Sequence, residues 1–134
     1  MRAFWLVVLL AAAAAGCGDN PLKPSDLKEV TWKLELIERT GVPTITVATP
    51  DQYTLRLGND GRLSARADCN QCTGTYTLDG DTLRIGNLAC TLVRCPAGSL
   101  DSAYGAALGG SSTIAISDSN LILRNGGVTL RFRN

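Results

Sequence analysis

The chain has 134 residues, enough for one domain, with no histidine, five cysteines and 13 bases against 12 acids. Without histidine it cannot build a Ser-His-Asp or Cys-His nucleophile, nor a zinc site with imidazole ligands. A net charge of +1 supplies no basic footprint, so nucleic acid is not an expected partner.

Fourteen of the first sixteen residues are apolar. Arg2 provides a short positive region, Phe4 to Leu10 an apolar stretch, and Ala11 to Gly16 a run of small residues ending at Cys17. A membrane span needs about 20 apolar residues, so residues 1–16 are expected to be a secretory signal. The junction Ala14-Ala15-Gly16-Cys17 is similar to a bacterial lipobox, in which the cysteine is lipidated and becomes the new N-terminus. Ala14 stands where that motif usually has Leu. An ordinary signal, with Cys17 left free or cleaved off, is the competing reading. Gly18 follows the cysteine, so the Asp that retains lipoproteins at the inner membrane is absent. The expected location is therefore the periplasmic face of the outer membrane, with the membrane contacted through the lipid on Cys17. Residues 17–29 contain two prolines and little to pack, and are expected to be a lipidated cysteine and flexible tether.

From residue 30 to 134 the apolar residues recur with period two, and turn signals break the pattern every eight to twelve residues. Trp32, Leu34 and Leu36 share one face of a first strand. Tyr53, Leu55 and Leu57 follow, then Asn59-Asp60-Gly61 turns the chain into Leu63, Ala65 and Ala67. Thr75 to Leu78 and Thr82 to Ile85 flank Asp79-Gly80-Asp81. Ser99 to Leu108 places Leu100, Tyr104 and Leu108 four apart, which predicts a three-turn helix with Ser99 as N-cap and Gly109 as stop. Three strands close the chain: Ile114 and Ile116, then Leu121 to Leu123, then Val128, Leu130 and Phe132. The expected class is mainly β (α+β): a compact, barrel-like antiparallel sheet with one short helix, about 99–108, before the last three strands.

Beyond Cys17, the remaining cysteines are Cys69, Cys72, Cys90 and Cys95. In an exported protein an even count is read as disulfides. Cys69 and Cys72 lie three apart and Cys90 and Cys95 five apart, so in extended chain each pair faces opposite ways. Antiparallel neighbours would then give the nested pairing Cys69–Cys95 and Cys72–Cys90, although four cysteines allow three connectivities. A tetrahedral zinc is the alternative that a cytosolic setting would favour. A redox role for Cys69-Asn70-Gln71-Cys72 needs a helix N-terminus, and the flanking pattern is strand.

Thr31-Trp32-Lys33-Leu34, Asp68-Cys69-Asn70, Gly74-Thr75-Tyr76 and Leu88-Ala89-Cys90-Thr91 occur in that order. Across residues 30–134 the chain resembles the META (HslJ-like) family of bacterial heat-shock lipoproteins. The most specific piece is Cys-Asn-x-x-x-Gly-x-Tyr followed by Thr-x-x-x-Cys. The resemblance implies a compact, mostly antiparallel domain in the cell envelope. It also implies links to heat shock and to tolerance of antibiotics such as novobiocin, and, in parasite members, to virulence and secretion. No catalytic residues are established for the family, so the resemblance carries no active site over to this chain. The family's two common cysteines fall on Cys69 and Cys95, while Cys72 and Cys90 look like an added bridge. Asp68 stands where the family motif usually has Gly.

Candidate functional residues are few. Asn70, between cysteines, is the one amide with a possible ligand-contacting role; a turn-bonding Asn is the simpler reading. Asp79 and Asp81 flank a turn glycine, where acid–base catalysis lacks a cleft. Arg84, Arg124, Arg131 and Arg133 occupy outward strand positions, suited either to an anionic partner or to solubility. No catalytic set, metal or cofactor is expected. The leading expectation is a non-enzymatic envelope lipoprotein acting in stress or antibiotic tolerance or in protein interaction. The alternative is a small barrel that binds a ligand or inhibits an enzyme.

Overall fold

The computed structural model describes residues 22–134, so the signal segment and Cys17 lie outside the described residues. A short helix, α1 (Pro24–Leu27), precedes nine strands: β1 (Thr31–Arg39), β2 (Ile45–Thr46), β3 (Tyr53–Leu57), β4 (Arg62–Ala67), β5 (Asn70–Asp79), β6 (Thr82–Cys90), β7 (Gly110–Ser117), β8 (Asn120–Asn125) and β9 (Val128–Arg133). A second helix, α2 (Asp101–Leu108), separates β6 from β7. From β3 to β9 each strand pairs antiparallel with its sequence neighbour. β1 pairs with β3 on one side and β9 on the other, which closes β1 and β3–β9 into an eight-stranded antiparallel barrel. β2 pairs with Leu36 and Ile37 of β1.

The inward faces match the period-two reading. Tyr53, Leu55 and Leu57, then Leu63, Ala65 and Ala67, then Leu121 and Leu123 are all buried. Eight strands leave an interior that side chains can just fill, and here Trp32, Leu34, Phe132 and Leu130 occupy it, all at 2% exposure or less. β1 departs from simple alternation. A register shift against β9 between Leu34 and Leu36 moves the inward position to Ile37, and Leu36 is only half-buried. The extra residue is a β-bulge, which bends the strand where the barrel closes.

Two expectations at the ends of elements need correction. The segment assigned to a tether folds onto the barrel at its C-terminal part: Leu27 is fully buried, and the indole Nε1 of Trp32 donates to its carbonyl at 3.1 Å. Glu29 then takes a left-handed conformation at φ 60° and accepts from Arg56 at 2.7 Å. The helix expected over 99–108 is shorter, starting at Asp101. Leu100 rather than Ser99 occupies the N-cap position; the Ser99 hydroxyl still accepts from the Asp101 N–H at 3.2 Å. Gly109 is extended (φ −68°, ψ 154°), and the left-handed residue after the helix is Gly110 at φ 87°. α2 stops because the chain enters β7 directly.

α2 packs over the barrel with Tyr104 and Leu108 buried. The Tyr104 ring meets Tyr53 edge-on at 6.0 Å and lies 6.2 Å from Phe132, and its hydroxyl donates to the Thr54 carbonyl at 2.9 Å. Burial pushes the Tyr104 hydroxyl well above the usual tyrosine range. The buried hydroxyl is tolerated because it is bonded.

Candidate functional site

Of the sequence-predicted residues, the four cysteines Cys69, Cys72, Cys90 and Cys95 and Asn70 converge on one end of the barrel. Cys69 is bonded to Cys95 and Cys72 to Cys90, the nested arrangement. Cys72 and Cys90 face each other directly across β5 and β6. Cys72 points into the core at 1% exposure while Cys69 is exposed. The four sulfurs are thus used in bonds to one another, not as metal ligands.

Asp68 opens the turn into β5 at φ 58°, with its N–H donating to the Gln52 carbonyl at 2.8 Å. That conformation is easiest for glycine and tolerated by Asp. Gly74 sits where the β5–β6 register shifts, and a Cβ there would lie 3.0 Å from the Gly86 carbonyl oxygen. Tyr76, two residues on, donates its hydroxyl to the Gly58 carbonyl. Desolvation, then the nearby Asp60 and Glu29 carboxylates, raise its pKa. Cys-Asn-x-x-x-Gly-x-Tyr therefore marks a disulfide, a bulge and a cross-strand tether along one strand.

Asn70 is 3% exposed and is the centre of this end. Its Oδ1 accepts from the Val93 N–H at 2.7 Å and from the Thr91 hydroxyl at 3.0 Å. Its Nδ2 donates to the Val93 carbonyl at 3.0 Å and to Asp101 Oδ2 at 3.2 Å, and lies 3.4 Å from Cys95 Sγ. The amide thus joins the segment after β6 to the start of α2, far beyond the local turn bonding that Asn ordinarily makes.

The segment it holds, Thr91 to Leu100, has no regular secondary structure. Thr91 is fixed by its N–H to the Gln71 carbonyl at 2.9 Å and by its hydroxyl, which accepts from the Gln71 N–H at 3.0 Å. At the far end, the Leu100 N–H donates to the Tyr53 hydroxyl at 3.0 Å. Between these anchors Leu92 is 96% and Val93 57% exposed, the most exposed large apolar residues among those described. A cleft of about 210 Å³ lies between this loop and α2, lined by Asn70, Leu92, Val93, Asp101, Ser102 and Gly105.

The other candidates lie elsewhere. Asp79 and Asp81 are exposed in the hairpin at the far end of β5. Arg131 and Arg133 pair with Glu38 and Glu35 at 2.8 and 3.4 Å, which neutralises half of the arginine stripe. Arg84 and Arg124 remain exposed. The partners of Asn70, namely Thr91, Val93 and Asp101, escaped sequence reasoning because they lie 21 to 31 residues downstream. Leu92-Val93, an apolar pair enclosed between cysteines without alternation, was the available signal.

This is a small antiparallel barrel domain with one end stapled by two disulfides and closed by a helix. The chain belongs to the META domain family, whose model matches residues 25–134. A protein from Burkholderia xenovorans, solved by NMR, has 23% identity and a TM-score of 0.67, covering 94% of this chain and 97% of its own. A crystal structure of a lipocalin-like protein from Bacteroides uniformis has 22% identity and a TM-score of 0.56, covering 81% of this chain and 98% of its own. An uncharacterized protein from Bacteroides eggerthii has 16% identity and a TM-score of 0.52, covering 78% and 96%. At these identities the likeness shows the fold alone. No curated protein sequence matches.

Proposed function

We propose that the protein is a non-enzymatic, envelope-anchored interaction module whose working surface is the stapled end of the barrel. The observation that carries this reading is the loop around Leu92 and Val93, apolar and exposed yet pinned at both sides. An exposed apolar residue alone means little. One on a backbone held by two disulfides and a buried amide is preorganised for contact, since little order remains to be lost on binding. Sequestration of an apolar ligand inside the barrel is less well supported, because aromatic and aliphatic side chains fill the interior. Lipidation at Cys17 would hold the module at the membrane, with stress or antibiotic tolerance as the expected setting. No metal or cofactor enters the proposal.

Two measurements test it. Radiolabelled palmitate should enter wild type and fail to enter Cys17→Ala. A photo-crosslinking side chain at Val93 should give a discrete protein adduct in envelopes, while one at Asp79, on the far hairpin, should not. Equal labelling from both positions would remove the stapled end from the proposal.

A further inference from the structure

The loop between the two disulfides has a more particular geometry than exposure alone. Cys90 and Cys95 bound a six-residue stretch, Cys90-Thr91-Leu92-Val93-Arg94-Cys95, and each of its ends is bonded to β5 or to the turn before it. Alternate residues are held from within. The Thr91 N–H bonds Gln71, both backbone groups of Val93 bond the Asn70 amide, and Cys95 is a half-cystine. Leu92 and Arg94 make no backbone hydrogen bond to any of the described residues. Their N–H and C=O groups form a short free edge of the kind that pairs with an extended strand of a partner. Leu92, 96% exposed, stands at its apex.

An endoprotease binds its target in this form, as a short extended segment paired through its backbone with one side chain in the primary specificity pocket. We infer that residues 90–95 form a substrate-like inhibitory loop for a secreted serine endoprotease, with Leu92 filling the primary pocket and Leu92–Val93 as the bond presented for attack. This rests on the interaction-module reading and names its partner class. A flexible loop of this sequence would be a substrate. Here the chain is tied to the same rigid body on either side of the bond, at Thr91 one residue before it and at Val93 directly after it. Thr91 is held through Gln71 and Asn70, and Val93 through Asn70 at 2.7 and 3.0 Å. If water added across the bond, leaving a carboxyl on Leu92 and an amine on Val93, the new ends would stay in place. Religation would then compete with release, because the ends remain at high effective concentration. A lipid surface could also accept an apolar apex, but it would be indifferent to backbone order and to exchange of one specificity side chain for another.

The test uses the exported, disulfide-bonded protein against chymotrypsin and subtilisin as apolar-preferring probes and trypsin as the cationic-preferring one. Wild type should inhibit at least one of the first two competitively. Leu92→Gly should weaken that inhibition by about 100-fold or more, in line with the discrimination a filled apolar pocket gives. Leu92→Lys should transfer inhibition to trypsin, whose pocket carries an Asp. Leu92 is solvent-exposed, so thermal melts of both variants should match wild type. Thr91→Val, which removes the hydroxyl contacts to Asn70 and to the Gln71 N–H without touching the core, should speed cleavage at Leu92–Val93 by about 10-fold. No inhibition of either apolar-preferring protease, or no transfer to trypsin by Leu92→Lys, overturns the inference. Crosslinking from Val93 would still report on the module reading separately.

Discussion

Asn70 uses both ends of its amide, and no other residue type of its size could replace it. Two acceptor contacts and two donor contacts to oxygen converge on it while it is almost fully buried. Asn70→Ala strands the Val93 N–H and frees the loop. It should cost about 2–4 kcal/mol, the scale of several bonds lost from one buried amide, measured by urea unfolding with the disulfides intact. Amide exchange at Val93 should rise by more than exchange at β8. Tyrosine supplies the pH dependence at this scale. Tyr104 and Tyr76 have folded pKa values raised above 10.0, mainly by desolvation. Between the unfolded and folded values the unfolded chain has lost protons that the native chain retains, so stability falls as pH rises. Their contribution is complete below about pH 10 and is lost above it. Tyr104→Phe should flatten the alkaline limb of an unfolding profile while lowering stability at neutral pH, because the Thr54 carbonyl loses its donor.

At the scale of elements, the four-residue helix α1 is worth more than its length suggests. Leu27 is at 0% exposure, and its carbonyl accepts from the buried Trp32 indole. Leu27→Ala should cost about 2–5 kcal/mol, as leucine truncation in a packed core does, read as a drop in the denaturant midpoint at unchanged slope. A loss below 0.5 kcal/mol would return residues 22–29 to the role of tether. Why this anchor was hidden is plain from its neighbours. Two leucines, Leu22 and Leu27, spaced five apart among Pro, Lys, Ser and Asp define no periodicity, and the partner of the Leu27 carbonyl is a side chain rather than a repeating face. The strands were legible for the opposite reason: Tyr53, Leu55 and Leu57, or Leu63, Ala65 and Ala67, repeat the same choice often enough to define a face. The bulge in β1 was not, because it answers to pairing with β9 at the other end of the chain. At the stapled end, cysteine parity made the nested pairing readable as one of three choices. The bonds of Asn70 were not readable, since nothing local distinguishes an amide in a turn from one that reaches across 23 residues.

For the molecule as a whole, the bridges carry stability that a small core does not supply alone. They close chain segments with separations of 26 and 18 residues. Each loop corresponds to about 3–4 kcal/mol of restricted unfolded-chain entropy, although nested loops do not add in full. The four ion pairs among the described residues involve substantially exposed side chains, and each contributes at most about 1 kcal/mol. Mild reduction should open Cys69–Cys95 before Cys72–Cys90, because Cys69 is exposed and Cys72 is buried. Timed alkylation followed by peptide mass mapping checks the order. Loss of the first bridge should loosen the 91–100 loop and leave the β7–β9 meander protected.

Closure of the barrel sets a timetable for assembly. The seam places Lys33 opposite Arg133, one of the earliest strand residues against one of the last. Hairpins such as β5–β6 can form as soon as they are available, but the ring cannot shut until β9 exists, and pairings so distant in sequence are the slow ones. A chain delivered from its N-terminus would therefore wait as an open sheet, with β1 unpaired along its β9 edge. During that interval both cystines can already form, since all four of their cysteines precede α2 and the final three strands. The covalent framework would be complete before the last hydrogen bonds seal it, leaving a half-built intermediate with fewer ways to go wrong.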